Sequence, residues 1–81
     1  MDPKIHLTVK NKDSTLFEGD ASSVSSVNDV GPFDILPMHE NFISLIKDRV
    51  TIRDKKEQKE MKIESGVMKV KDNKVDIYLG L

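Results

Sequence analysis

The sequence predicts an all-β fold, a sandwich or barrel of short strands, and three observations predict it. Apolar residues alternate with polar ones at both ends of the chain: Ile5, Leu7 and Val9 against His6, Thr8 and Lys10, then Val75, Ile77 and Leu79 against Asp76, Tyr78 and Gly80. A period of two marks a strand with one face in the core and one in water. Turn-forming clusters recur between the apolar segments at roughly eight to twelve residues, the spacing of an all-β domain. The few glycines and prolines fall at these breaks, where they end strands.

Each element follows in order. Ile5, Leu7 and Val9 open the first strand, and Asn11, Lys12, Asp13 and Ser14 form the turn after it. Leu16 and Phe17 begin a short second strand that Gly19 and Asp20 are expected to interrupt. Ala21 to Val27 reads as a weak, serine-rich strand carried by Val24 and Val27; β-branched valines and its short length favour an exposed strand over a flexible linker. Asn28, Asp29 and Gly31 make a turn, Phe33 to Leu36 a short strand, and Pro37 ends it.

Phe42, Ile43, Leu45 and Ile46 fit either a helical turn or a strand covered on both faces, and periodicity does not decide. Val50 and Ile52 alternate with Thr51 and Arg53 as a further strand. The segment "RDKKEQKEMK", Arg53 to Lys62, contains good helix formers. A hairpin with its tip near Asp54 to Glu57 is preferred, because Met61, Ile63, Val67, Met68 and Val70 resume strand character beyond it, and a charged tip discourages edge-to-edge association. Asp72 and Asn73 form the last turn.

Composition bounds the function. Eighty-one residues that are 37% hydrophobic make one small domain, expected over 1–81, with one core and little to spare. Thirteen Lys and Arg against fourteen Asp and Glu leave a net charge of −1, so there is no basic footprint for nucleic acid or an anionic membrane. The absence of cysteine removes disulfides, thiol catalysis and zinc–thiolate sites. No apolar run approaches the roughly 20 residues needed for a transmembrane helix, and no signal-peptide core opens the chain.

Residues able to carry chemistry are sparse. His6 lies on the polar phase of the first strand and reads as solvent-facing. His39 and Glu40 are adjacent, which on a strand points them to opposite faces, and no third metal ligand stands out. Ser65 and Gly66 follow Glu64 without a nucleophile elbow, so Ser65 reads as a turn serine. Phosphate-binding, dinucleotide and EF-hand motifs are absent, and no carboxylate pair can be nominated. Phe17, Phe33, Phe42 and Tyr78 are too few for a base-stacking platform; Phe33, between Pro32 and Asp34, is the one with a possible interface role. The expectation is no catalytic residue, no cofactor and no metal.

The stretch "GPFDILPMHENFISLI" carries a resemblance. It is similar to the "GExGIxPGHAPLLTxL" segment of the F-type ATP synthase epsilon subunit, sharing Gly31, Ile35, Pro37 and His39. Collinear likenesses extend it over nearly the whole chain: Phe17, Glu18 and Gly19 resemble the turn after the opening strand, "RVTIR" the "GxxxIR" strand, "SGVMKV" the "SGGFxEV" segment and "DNKVDIYL" the "xNxVTVLA" strand. The resemblance is to that subunit's N-terminal β-sandwich domain, and it implies a small antiparallel β-sandwich of about ten short strands. The C-terminal helical hairpin that commonly follows is absent from the expected fold, since the chain ends at Leu81.

The same resemblance implies a non-catalytic rotor-stalk subunit with no cofactor. Its partners would be the gamma subunit and the c-ring, without nucleic acid or a transmembrane segment of its own, and it would sit peripherally on the cytoplasmic side of the membrane. Ion-driven rotation would thereby be coupled to ATP synthesis. The c-ring-facing loop would comprise Gly31, Pro32, Phe33, Asp34, Met38, His39 and Glu40. Four of these depart from the family pattern: Pro32 stands for its glutamate, Asp34 for its next glycine, where it could keep a left-handed turn, Met38 for the glycine before His39, and Glu40 for the alanine after it. Val67 likewise replaces the second glycine of "SGG". These departures motivate an alternative, a diverged β-sandwich interaction module without a rotor role. A small hydrolase or metal-binding domain using His39 and nearby acids is the remote third reading.

Overall fold

A computed structural model describes residues 3–80. Met1, Asp2 and Leu81, the outermost residues of the expected domain, lie outside the described residues. Seven strands form: β1 (Ile5–Lys10), β2 (Thr15–Ala21), β3 (Ser23–Asn28), β4 (Gly31–Ile35), β5 (Phe42–Asp54), β6 (Glu57–Lys71) and β7 (Lys74–Leu79). They join in one sheet of order β2-β1-β7-β6-β5-β3-β4.

The all-β expectation holds, and the preferred hairpin forms where its charged residues place it, with Asp54 paired to Glu57 across the tip. Three details differ. About ten short strands become seven, because β5 and β6 are 13 and 15 residues long and each replaces two expected pieces. The pairing is not wholly antiparallel, since β1 and β7, from opposite ends of the chain, run parallel with Val9 opposite Ile77. Gly19 and Asp20 do not interrupt β2; they pair with Leu7 and His6, and the ladder to β1 carries the strand through to Ala21.

The two long strands bend at a bulge. Register slips between Lys47 and Asp48, and Asp48 takes the left-handed backbone at φ 71°. On β6 the partners pass from Ser65 to Ile63, leaving Glu64 extra. One unpaired residue reverses which side chains face inward. Met61 and Ile63 face the core before it, whereas Gly66, Met68 and Val70 face it after. Ser65 therefore lies in a strand beside a bulge, not in a turn.

Bending lets one sheet enclose its own core. Ile5, Leu7 and Val9 of β1 and Val75 and Ile77 of β7 are buried in the same cluster as Val24 of β3, Ile35 of β4, and Val50 and Ile52 of β5. The apolar phases identified from the sequence are these inward positions. Two polar side chains are buried with partners: Ser26 Oγ donates to the Arg49 carbonyl at 2.7 Å, and Thr51 Oγ1 to Glu60 at 3.4 Å. Among the described residues no buried side-chain polar atom lacks a partner, as a small core requires.

Candidate protein-docking surfaces

The stretch expected as one binding loop is a strand followed by a tight turn. Gly31 to Ile35 is β4, the edge strand beyond β3. At an edge the missing N–H of Pro32 removes no necessary ladder bond. Phe33 turns inward and packs at 5.5 Å on the Phe42 ring. Asp34 holds no left-handed turn; it pairs with Ser25, whose hydroxyl donates to its carboxylate while Arg53 Nη1 donates to the same hydroxyl at 2.7 Å.

The left-handed residue is Met38, at φ 69°. The His39 N–H donates to the Leu36 carbonyl at 3.2 Å, closing a turn with Pro37 second and Met38 third. That is the arrangement of a type II turn, whose third position needs positive φ and normally holds glycine. Asn73, in the turn between β6 and β7, moors it: its side-chain oxygen accepts from the Met38 N–H at 2.6 Å, and its Nδ2 donates to the Met38 sulfur at 3.5 Å. His39 and Glu40 lie outside any strand, so their adjacency does not set them on opposite faces. His39 Nδ1 instead contacts the Glu40 carbonyl at 2.8 Å, and its ring meets Phe42 edge-on at 5.7 Å.

The seven expected residues extend along β4 and into the turn after it. Gly31 and Pro32 pair with Asn28 and Val27 beside the β3–β4 turn, whereas Met38, His39 and Glu40 follow the far end of β4, Met38 against Asn73. Replacing Met38 by glycine removes the left-handed strain, about 1 to 2 kcal/mol, and adds back some unfolded-chain freedom. The expected outcome for Met38→Gly is a gain of about 0.5 to 1 kcal/mol in urea unfolding; a loss would show that the Asn73 contacts outweigh the backbone.

A second surface has no counterpart in the expected site. Ile43 and Leu45 alternate outward from β5 and are 70% and 71% exposed. The ambiguous apolar run is thus a strand with only one phase covered. Leu45 sits opposite Val67 of β6, and Val67 opposite Tyr78 of β7, so an apolar row crosses three strands. Val30, from the β3–β4 turn, is 97% exposed and borders a shallow depression with Ile43, Ser44 and Leu45. Lys69 stands opposite Ile43, and Lys47 faces Asp29 at 3.6 Å, giving the strip a charged border. A contiguous apolar patch with a polar rim is how a docking surface appears in an isolated chain. Apolar residues on both phases of 42–46 were the sequence signal for it.

Across the sheet the outer face of β3, β4 and the distal halves of β5 and β6 is polar, knit by Arg53, Ser25 and Asp34 and by Arg53 with Gln58 at 3.3 Å. Near the hairpin tip, Lys4 and the Ser22 hydroxyl donate to Asp54, and the Lys4 ammonium holds that carboxyl below the usual range. Among the described residues no group of three or more His, Asp or Glu is arranged to hold a metal ion, and no helix is long and apolar enough to cross a membrane.

Residues 4–79 match the family described as the ATP synthase delta/epsilon chain, β-sandwich domain. Two solved structures carry the same fold. A chain of the Euglena gracilis mitochondrial ATP synthase, from a structure of OSCP, F1 and c-ring, superposes with a TM-score of 0.86 at 19% identity over 94% of this chain and 50% of that one. A chain of the Tetrahymena thermophila mitochondrial ATP synthase, from a structure of the central stalk and c-ring, does so with a TM-score of 0.78 at 14% identity, over 96% of this chain and 64% of that one. The present chain therefore spans half to two thirds of these relatives. Comparison with curated proteins gives no match.

Proposed function

The chain belongs to the ATP synthase delta/epsilon β-sandwich family, and from that premise we propose that it is a non-catalytic subunit of the rotor stalk, linking the gamma subunit to the c-ring. In this reading it is one domain, acts without a cofactor, and sits peripherally on the cytoplasmic side of the membrane. It helps couple ion-driven rotation to ATP synthesis by holding two partners in fixed relation.

The carrying observation is the exposed strip of Ile43, Leu45, Val67 and Tyr78, which supports docking against gamma. A few desolvated anchors within a polar rim supply most of the affinity at such surfaces. The moored turn at Leu36 to Glu40 would meet the ring, with Leu36 and Met38 exposed at its tip. Strand β5 begins at Phe42, directly after that turn, and carries Ile43 and Leu45. One stiff strand thus joins the two contacts, as torque transmission needs.

Leu45→Asp tests the assignment. The side chain is exposed, so the fold tolerates the change, while gamma binding in a pull-down or titration is expected to weaken at least about tenfold. Micromolar gamma binding that Leu45→Asp leaves untouched would move the contact to another face. No binding by the unaltered chain would favour the diverged interaction module suggested by Pro32, Asp34 and Met38.

A further inference from the structure

On the outer face of β1 and β2, one histidine is held between two carboxylates of the neighbouring strand. His6 Nδ1 lies 3.1 Å from Asp20 Oδ1, and His6 Nε2 lies 3.2 Å from Glu18 Oε2. Ionised carboxylates only accept hydrogen bonds, and a neutral imidazole has a single N–H. Both contacts are hydrogen bonds only when both ring nitrogens carry protons. On neutralisation one of them becomes a lone pair facing a carboxylate.

The cluster's place in the sheet gives this a mechanical consequence. β2 is an edge strand, paired in the sheet with β1 alone. Beyond that ladder it is held by Ala21, buried in the core, by Phe17 packed against the core, and by the Lys59 ammonium 5.5 Å from the Phe17 ring centroid. The other charged groups on this face include Lys10, further along β1, and on β7 Lys74, in register with His6, and Asp76, in register with Thr8. The His6 backbone N–H is fixed to the Asn73 carbonyl at 2.9 Å, so the ring is presented from an anchored position.

We propose that His6 is a proton-operated clasp, which in its protonated form fastens edge strand β2 to β1 through Asp20 and Glu18 and which slackens when the ring is neutral. The Asp20 hydrogen bond, then that of Glu18, raises the His6 pKa above its ordinary 6.5 against a smaller opposing effect of desolvation. A raised folded-state pKa gives a contribution that is complete below the unfolded value of about 6.5 and is lost as pH rises through the folded value. The transition therefore falls above about pH 6.5, the ordinary histidine value.

The two carboxylates approach opposite ring nitrogens, which rules out one metal ion shared by all three groups. Through Asp76 and Thr8, the row containing Glu18 is continuous with the one containing Lys69 and Ile43. Proton loss thus raises negative charge on the face that carries the apolar strip. The clasp itself does not rest on what docks there.

Imidazole proton NMR against pH tests it on the unaltered chain, with His39→Gln assigning the two histidines. His6 is expected to titrate above about 6.5, the ordinary histidine value, and Glu18→Gln and Asp20→Asn are each expected to lower its midpoint. Amide exchange, corrected for intrinsic base catalysis, is expected to show protection of β2 falling roughly two- to fivefold between about pH 5 and pH 8, the range of a surface ion pair, with β3 and β4 unaffected. His6→Gln should abolish that pH dependence. An ordinary His6 midpoint insensitive to both carboxamide variants overturns the proposal, as does β2 protection with the same pH profile in His6→Gln and the unaltered chain.

Discussion

Ile77→Ala is expected to remove about 2 to 5 kcal/mol of stability. Ile77 is fully buried on β7, which lies between β1 and β6, with Val9 opposite on one side and Met68 on the other. Truncation loses the transfer free energy of three carbons and leaves a void that inward side chains of both neighbouring strands would have to collapse into. Because β1 and β7 join the two ends of the chain, the void also weakens the pairing that closes the fold. Against the total of about 5 to 15 kcal/mol usual for a small domain, the loss is a large share. Urea unfolding checks it, with Ile77→Val expected at about 0.5 to 1.5 kcal/mol and Ile43→Ala, on the exposed strip, near zero. An Ile77→Ala loss below about 1 kcal/mol would mean that β7 is not the centre of the core.

How much of this was legible beforehand depends on the range of the interaction. The inward residues of β1 and β7 could be read because alternation is local: each strand displays its own buried phase, whereas β3, expected as an exposed strand, lies between β5 and β4 with Val24, Ser26 and Val27 buried. The parallel pairing of β1 and β7 had no local signature, since each strand looks the same whichever neighbour it takes. The bulge at Lys47, Asp48 and Glu64 draws on the same polar residues as a turn, so the apolar pieces on either side of it read as separate fragments of β5 and β6. Pro32 and Pro37 both looked like punctuation. Only Pro37 is, because Pro32 sits on an edge that tolerates it.

The docking surfaces follow the same logic. Gly31, Ile35, Pro37 and His39 pointed to the family together with the collinear likenesses along the chain, yet they did not fix a surface, because β4 runs between the first and the last. Ile43 and Leu45 were visible as an apolar run but ambiguous, since an outward apolar phase looks identical whether a helix, a second sheet or a partner covers it. His6 reads correctly as facing outward, but its carboxylates are 12 and 14 residues away and meet it only through the register of β1 with β2. The left-handed backbone expected of Asp34 moved four residues on, to Met38, because the turn is set by Pro37.

Gly66→Ala is the substitution for which geometry, rather than lost burial, sets the effect. A Cβ at Gly66 would lie 2.7 Å from the Tyr78 carbonyl oxygen and 2.8 Å from Leu79 Cδ2. The leucine tip can swing aside. The carbonyl cannot, because it belongs to the ladder joining β6 to β7, where Gly66 stands opposite Leu79. The two strands must part locally, and overpacking of this kind costs about 1 to 3 kcal/mol. This close approach gives a physical reason for glycine at 66, whereas the neighbouring position accepts valine because Val67 points outward into the apolar strip. Gly19→Ala is the control: its nearest neighbour would be Phe17 at 3.5 Å, an ordinary contact, and unfolding is expected to change by under about 0.5 kcal/mol. Strand separation at Gly66 would also displace Tyr78 from the row it shares with Val67 and Leu45. Gly66→Ala should therefore weaken gamma binding at temperatures where the chain remains folded, and a variant that loses stability but keeps full affinity would show that the strip tolerates movement of its β7 edge.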